Sequence, residues 1–216
     1  MKVLSVAVGM PGIVQTQDEE IVTTAIFKSP MSGRVKVGQL NLEGDAQADL
    51  RVHGGPAKSV YIYPSEHYAY WQKEMPDHTF EPANFGENLT TQGLIETEAY
   101  IGDVLRIGTA EFAVTQPRMP CYKLGIRFGR KDIIRRFLQS RRSGIYLTVL
   151  KTGELGENDE ITILERNEHQ VTVDDIVRLY VEDKTDVETM RRAILIGALP
   201  DGWKQTFRER IDGLDG

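Results

Sequence analysis

The chain has 216 residues, a net charge of −6 and 40% hydrophobic residues, values typical of a globular protein with its own core. No stretch approaches the roughly 20 apolar residues of a membrane helix, and the acidic excess argues against general nucleic-acid binding. The single cysteine excludes an internal disulfide framework, and with four scattered histidines it makes no zinc cluster. We therefore expect a protein of the reducing cytoplasm that does not enter the membrane.

The first three quarters of the chain are predicted to be mainly β. Alternating and β-branched stretches predict strands at "KVLSVAVG", "EIVTTAIFK", "RVKVGQLNLEGD" and "SVYIYP". Farther on, "AYIGDVLRIGTAEFAVTQ" predicts two strands, and "GIYLTVL" and "DEITILE" predict two more on either side of the turn-rich "KTGELGEN". Many short strands with glycine-rich turns indicate a sandwich or closed barrel. Helical spacing predicts two inserted helices, at "SEHYAYWQKEM" and "RKDIIRRFLQS".

The pattern changes near residue 167, where strand alternation stops. Thr172 and Asp175 have the spacing of a capping box, which marks the start of a helix. Apolar residues at helical intervals follow as far as the end of the chain. We predict a β domain at residues 1–165 and a domain of three short helices at residues 168–216.

The only cysteine lies in "VTQPRMPCYKLGIRFGR", after a predicted strand. Pro117 and Pro120 restrict the backbone before Cys121, which would hold its side chain in place on a loop. The cations of this stretch are Arg118, Lys123, Arg127 and Arg130. Nearby positive charge favours the thiolate, the form that binds metal or attacks carbon. A lone cysteine is also commonly a small buried hydrophobe, so the residues alone leave both interpretations open.

A second cluster surrounds the turn in "DLRVHGGPAKSVYIYP". Gly54 and Gly55 would expose backbone amides, and Arg51, His53 and Lys58 lie on either side of them. Amides together with Arg and Lys side chains suit a phosphate group. The spacing is that of neither a Walker loop nor a dinucleotide-binding fingerprint. An ordinary hairpin turn with solvated charges and a structural histidine is the alternative.

Three more candidates lie on predicted loops. In "NFGENLTTQGL", Gly86 permits a tight turn and Asn88 can donate and accept hydrogen bonds, most commonly as a structural staple. In "IFKSPMSGRV", Lys28 and Arg34 lie between strands. These two cations matter only if the fold carries them toward Cys121.

Four segments in series resemble one known family. They are "LEGDAQADLRVHGGPAKSVYIYPSEHYAYW", "FGENLTTQGL", "YIGDVLRIG" and "TQPRMPCYKL". Their order and spacing are similar to those of the MOSC domain, named for the C-terminal region of molybdenum cofactor sulfurase. The resemblance extends to the YiiM-like branch, which carries a three-helix bundle after that domain, and it covers nearly the whole chain.

The resemblance implies a MOSC-type β-barrel that holds a molybdenum–pterin cofactor in its molybdopterin form. In the family a cysteine ligates molybdenum, and the matching residue here is Cys121. The terminal phosphate of the pterin needs cationic and amide donors. Those available are Lys28, Arg34, Arg51, His53, Gly54, Gly55, Lys58 and Arg118. Asn88 would hydrogen-bond the pterin or the substrate and so join Cys121 in catalysis.

The activity that the resemblance implies is two-electron reduction of small N-hydroxylated compounds, as in detoxification of base analogues such as N-hydroxylaminopurine. No flavin or nicotinamide motif is visible, so electrons would come from a separate reductase. The alternatives are a module that carries the cofactor or a persulfide on Cys121, and a redox-inactive phosphate binder. Pyridoxal phosphate, sometimes associated with the family, would need a buried lysine beside a carboxylate or arginine, and no lysine stands out in that way. A homodimer through the helices is left open.

Overall fold

The computed structural model describes residues 1–16, 18–48 and 54–215. Twelve strands form the β part of the protein. They are β1 (Lys2–Val8), β2 (Gly12–Gln15), β3 (Ile21–Thr24), β4 (Ser29–Met31), β5 (Arg34–Val37), β6 (Val60–Pro64), β7 (Leu89–Gln92), β8 (Val104–Ile107), β9 (Ala110–Pro117), β10 (Ile145–Lys151), β11 (Gly153–Gly156) and β12 (Ile161–Glu165).

Eight of these strands form one sheet in the order β12-β8-β9-β10-β6-β7-β1-β4. The predicted mainly β fold is confirmed, but the predicted closed barrel is wrong for the residues described. Because β7 and β4 already pair with the two edges of β1, only the first residues of β1 can reach toward β12. The contacts there are an isolated bridge between Lys2 and Glu160 and flanking backbone hydrogen bonds, from the Val3 amide to the Asp159 carbonyl and from the Ile161 amide to the Met1 carbonyl, each at 2.9 Å.

Two further pairs stand outside this sheet, β2 with β3 and β5 with β11. The strand predicted from "RVKVGQLNLEGD" ends early, at Val37, because the Gly38 amide donates to the Asn41 carbonyl at 2.9 Å and the chain turns back. β11 falls in "KTGELGEN", where only a turn was predicted. Its pairing partner β5 is more than 100 residues away in the chain, so local pattern could not indicate it.

Six α-helices accompany the strands. They are α1 (Glu66–Glu74), α2 (Tyr122–Phe128), α3 (Ile133–Ser140), α4 (Val173–Val181), α5 (Val187–Leu195) and α6 (Asp201–Asp215). The two inserted helices were predicted, whereas α2 was not, because its seven residues follow directly on a loop-like sequence. In the described part of the chain, no helix has the length and apolar character needed to cross a bilayer.

The three C-terminal helices pack onto the sheet as part of one core. The capping box at the start of α4 is present, with the Asp175 amide donating to the Thr172 hydroxyl. Ile176, Met190 and Phe207, one from each helix, are buried in the same hydrophobic cluster as the sheet residues. The boundary between two domains therefore stays a prediction, since the helices share the interior of the β part rather than enclosing a separate one.

An aromatic cluster lies on the other side of the sheet, between β6 and helices α1 and α3. Tyr63, Trp71, Phe85 and Phe137 are all fully buried there, with the Tyr63 and Phe85 ring centroids 4.3 Å apart. The Trp71 indole N–H donates to the Tyr63 hydroxyl at 2.6 Å, so the polar atoms of this cluster are satisfied. The cluster makes a rigid support for the residues around Phe85.

The shared core predicts how the protein unfolds. We expect Phe207→Ala to lower the free energy of unfolding by about 3–5 kcal/mol because it leaves a cavity among buried side chains. Leu195→Ala, at a side chain 66% exposed, should change it by no more than about 0.5 kcal/mol. Urea titrations followed by circular dichroism and by tryptophan fluorescence would measure both. Two separate transitions, with Phe207→Ala shifting only one, would contradict a common core.

Candidate functional site

Cys121 lies where strand β9 leads into helix α2. It is the N-cap residue of α2 and has an extended backbone, with φ of −124° and ψ of 175°. Its side chain is partly exposed and in no disulfide. The interpretation as a deeply buried hydrophobe is therefore wrong, and the thiol is accessible from one cleft, called here the thiol cleft.

The thiol cleft collects four cations from three separate parts of the chain. Those that line it are Lys28, Lys58, Arg118 and Lys123, together with Cys121. Asp45, Tyr61, Asn88 and Tyr146 are among the other polar residues of its wall. An electropositive hollow around one accessible thiol is thus a feature of the fold and not only of the local sequence.

Lys28 is held at the bottom of the cleft by an ion pair with Asp45. Their side chains are 8% and 3% exposed, respectively. Asp45 also accepts a hydrogen bond from the Gly9 amide at 2.8 Å. Burial lowers the pKa of the Lys28 ammonium, and the adjacent Asp45 carboxylate partly opposes that effect. The pair therefore supplies a positioned lysine in a poorly solvated place.

Arg118 is also buried and fixed in orientation. Its guanidinium donates to the Phe85 carbonyl and lies over the ring of Tyr61, 4.8 Å from the centroid. The Tyr61 hydroxyl in turn donates to the Ser143 carbonyl at 2.8 Å. Because arginine keeps its proton in proteins, this arrangement puts a permanent positive charge in the wall of the cleft.

The other two lysines differ in their surroundings. Lys123, in the first turn of α2, is 9% exposed, and the described residues offer it no ion-pair partner. Burial lowers the pKa of Lys58, while the charge of Cys121 raises it, so these two groups are near one another. A buried ammonium without a counter-ion is a natural binding point for an anion.

Asn88 has a structural role in this arrangement. Its side-chain oxygen accepts from the Tyr61 amide at 3.1 Å, and its amide nitrogen donates to the Ala7 carbonyl at 3.3 Å and to Asp45 at 2.9 Å. All three bonds are made within the protein. The residue lines the cleft as predicted, but its hydrogen bonds join β1, β6 and the Asp45 loop, which does not favour the expected catalytic contact with a ligand.

Several sequence candidates lie elsewhere. Arg34, on β5, does not line the thiol cleft, because its guanidinium pairs with Glu154 of β11 at 3.2 Å and with Asp159, between β11 and β12, at 2.6 Å. Arg127 donates to the Asn84 carbonyl, and Arg130 pairs with Asp132. All three arginines have partners outside the thiol cleft. Of the four cations near the cysteine in sequence, only Arg118 and Lys123 therefore line the cleft.

The predicted phosphate cradle is only partly visible. Arg51 and His53 lie outside the described residues. Gly54 and Gly55 line a neighbouring cleft, and Lys58, at the end of the short 3-10 helix that follows them, lines both. Gly55 has a φ of +95°, a conformation that glycine adopts without strain.

Asp45, Lys123 and Tyr146 line the cleft although no sequence motif marked them as site residues. Lys123 was noted in the cationic run, and its position two residues after Cys121 was the available signal. Asp45 appeared as the last residue of the stretch "RVKVGQLNLEGD", and Tyr146 only as a strand residue. Burial raises the pKa of the Tyr146 phenol above its ordinary value, so this partly buried group facing the cleft stays protonated at neutral pH.

Comparison with known proteins identifies the family of the chain. The MOSC domain family matches residues 49–162, and the family described as YiiM-like, 3-alpha helix domain matches residues 171–214. The uncharacterized protein YflK of Bacillus subtilis is 37% identical over 98% of this chain and 95% of its own length. Protein YiiM of Escherichia coli K12 is 35% identical over 87% of this chain and 84% of its own length.

A fungal protein and a solved structure extend the comparison. A protein named Reductase from Gibberella moniliformis is 34% identical over 67% of this chain, which corresponds to 26% of that longer protein. The crystal structure of YiiM from Geobacillus stearothermophilus superimposes with a TM-score of 0.81 at 31% identity, covering 97% of this chain and 98% of the other. The chain belongs to the MOSC domain family, in the branch that carries the YiiM-like three-helix domain.

Proposed function

We propose that this protein binds a molybdenum–pterin cofactor in the thiol cleft and reduces small N-hydroxylated compounds there. The observation that carries the proposal is the accessible Cys121 thiol beside four cationic side chains in one cleft. MOSC domains are generally associated with this cofactor, and the residues present fit it. A soft thiolate suits molybdenum, and the cations suit an anionic pterin phosphate.

The roles of the side chains follow from how firmly each is held. Arg118 is fixed by a neutral carbonyl, so it supplies positive potential with little freedom to move, whereas Asp45 fixes Lys28 and offsets its charge. Lys123 retains donors for a ligand, which makes it the residue we assign to the phosphate group. Cys121 is the metal ligand, and the surrounding positive charge favours its thiolate form. Asn88 and Asp45 position the cleft and do not contact the ligand.

When bound, the cofactor supplies a two-electron redox centre. Reduction of R–NHOH consumes two electrons and two protons, breaks the N–O bond and yields the amine and water. We assign one of the proton transfers to the Tyr146 hydroxyl, which is protonated at neutral pH and faces the cleft. The electrons come from a separate reductase protein. The relative named Reductase supports a redox role over a carrier role for the site.

The proposal predicts that Cys121→Ala removes the metal. Protein produced in a molybdenum-competent host should contain about one molybdenum per chain and reduce N-hydroxylaminopurine with an artificial electron donor. The variant should contain no molybdenum and show no turnover, because the cleft would lack its thiolate ligand. Metal analysis and product chromatography measure the two effects. Wild-type protein with cyanide-releasable sulfur and no turnover would instead indicate a sulfur carrier.

Lys123→Gln should weaken binding of the phosphate end of the ligand. Loss of one charge-assisted contact predicts about a tenfold or greater rise in the Kd of inorganic pyrophosphate for the cofactor-free protein, and a lower pterin content after expression. Lys131→Gln is the matched control, since that side chain is 91% exposed and pairs with Asp18 on the surface. Calorimetry measures the affinity. Equal behaviour of the two variants would contradict the role assigned to Lys123.

Tyr146→Phe should lower kcat while leaving molybdenum content unchanged. A positioned proton donor typically contributes roughly 100-fold or more to the rate, and the phenyl ring preserves the packing. Tyr122→Phe, at a ring 56% exposed beside Cys121, is the control and should keep the wild-type rate. Steady-state kinetics with an artificial donor would measure both. An unchanged kcat in Tyr146→Phe would exclude the Tyr146 hydroxyl as the proton donor.

A further inference from the structure

A second cleft opens beside the thiol cleft, between the β part and the C-terminal helices, and is called here the helix cleft. From the β part, Gly55, Lys58, Gln116 and Met119 line it, and from the helices, Tyr180 of α4 and Trp203 of α6. None of the charged groups assigned above lies in it except Lys58. The fold creates this cleft by packing the helices against the end of β9.

The wall formed by the helices is aromatic and held in a fixed geometry. The rings of Tyr180 and Trp203 meet edge to face, with centroids 5.7 Å apart. The Trp203 indole N–H donates to the Gln116 side-chain oxygen at 3.1 Å, and the Gln116 amide donates to the Ala57 carbonyl at 3.3 Å. Tyr180 nevertheless remains 41% exposed. Exposed aromatic surface that is already oriented loses little conformational freedom when a ligand packs on it.

The two clefts are neighbours that share one lining residue near the cysteine loop. Lys58 lines both of them. Met119 lines the helix cleft and lies only two residues before Cys121, which lines the thiol cleft. A ligand in the helix cleft would therefore have one end near Lys58 and Cys121. Its other end would lie near Gly55 and the aromatic rings of Tyr180 and Trp203.

We propose that the helix cleft binds the planar heteroaromatic ring of the substrate and presents its N-hydroxyl group toward Cys121. This inference rests on the proposed function and adds a separate binding site for the ring of an uncharged, planar substrate. Aromatic rings pack well on tyrosine and tryptophan surfaces, and the absence of acidic side chains among the described residues of this cleft suits a ring without positive charge. Trp203 and Tyr180 are then specificity-determining residues supplied by the helical part.

Gly202 offers a way to fill the cleft without disturbing the fold. It lines the helix cleft near the start of α6, and a Cβ built there meets no atom within 4 Å. Gly202→Leu should fold normally, since leucine is a better helix former than glycine, and its side chain would occupy the cleft. Gly213→Leu is the matched control, because Gly213 lies in the same helix, away from the cleft, with equally open space around it.

The first experiment compares a ring-bearing with a ring-free substrate. Gly202→Leu should raise the KM for N-hydroxylaminopurine about tenfold or more, the range expected for loss of a base stacked on an aromatic side chain. Its KM for acetohydroxamic acid, which has no ring, and its molybdenum content should equal those of Gly213→Leu. An equal rise in KM for both substrates would overturn the proposal. Loss of molybdenum from Gly202→Leu alone would also overturn it, because the cofactor itself would then occupy the helix cleft.

The second experiment needs no cofactor and separates the two proposals. N-Hydroxylaminopurine should bind the cofactor-free protein and quench Trp203 fluorescence, with a Kd about tenfold higher in Gly202→Leu than in Gly213→Leu. Trp71 is fully buried and serves as the constant background. Protein that binds the purine but reduces neither compound would refute the proposed function and keep the ring site. Absence of purine binding would refute the ring site whatever the activity.

Discussion

The buried carboxylate of Asp45 is the interaction on which the candidate site depends. It accepts hydrogen bonds from the Lys28 ammonium, the Asn88 side chain and the Gly9 amide, and so joins four separate segments at the bottom of one cleft. Removing one partner of a buried ion pair typically costs about 3–5 kcal/mol, because the remaining charge stays desolvated. The cleft is therefore held in its open, electropositive shape by the protein itself, before any ligand binds.

The cations of the thiol cleft differ in whether the protein itself provides an acceptor for them. Lys28 and Arg118 have protein acceptors, Asp45 and the Phe85 carbonyl, which keep them in place although both are buried. Lys123 has no such acceptor among the described residues. A ligand anion therefore meets a fixed positive potential and one ammonium whose donors remain available. Such preorganisation lowers the cost of binding, since the protein does not have to reorder its charges around the ligand.

The three C-terminal helices are linked to the candidate site because they share one hydrophobic core with the sheet. Their buried side chains belong to the same core as the sheet, and the Trp203 indole is hydrogen-bonded to Gln116 at the end of β9. Five residues after Gln116 comes Cys121. A shift of α6 would therefore move the Trp203–Gln116 hydrogen bond, which lies next to the cysteine loop.

The sequence by itself determined the mainly β character, the two inserted helices, the C-terminal helices with their capping box, and the cysteine in a basic loop. These features depend on periodicity, capping and side-chain type within a few residues, which local sequence records directly. It also indicated the family, because four motifs recur in order. Only the tertiary structure decided that the sheet stays open and that Asn88 is a structural link. It also decided that Arg34 and Arg127 have partners outside the thiol cleft. Lys28 and Lys123, in contrast, line that cleft. Which charge faces which cavity depends on contacts between residues tens of positions apart, and those contacts are set by packing that no local pattern encodes.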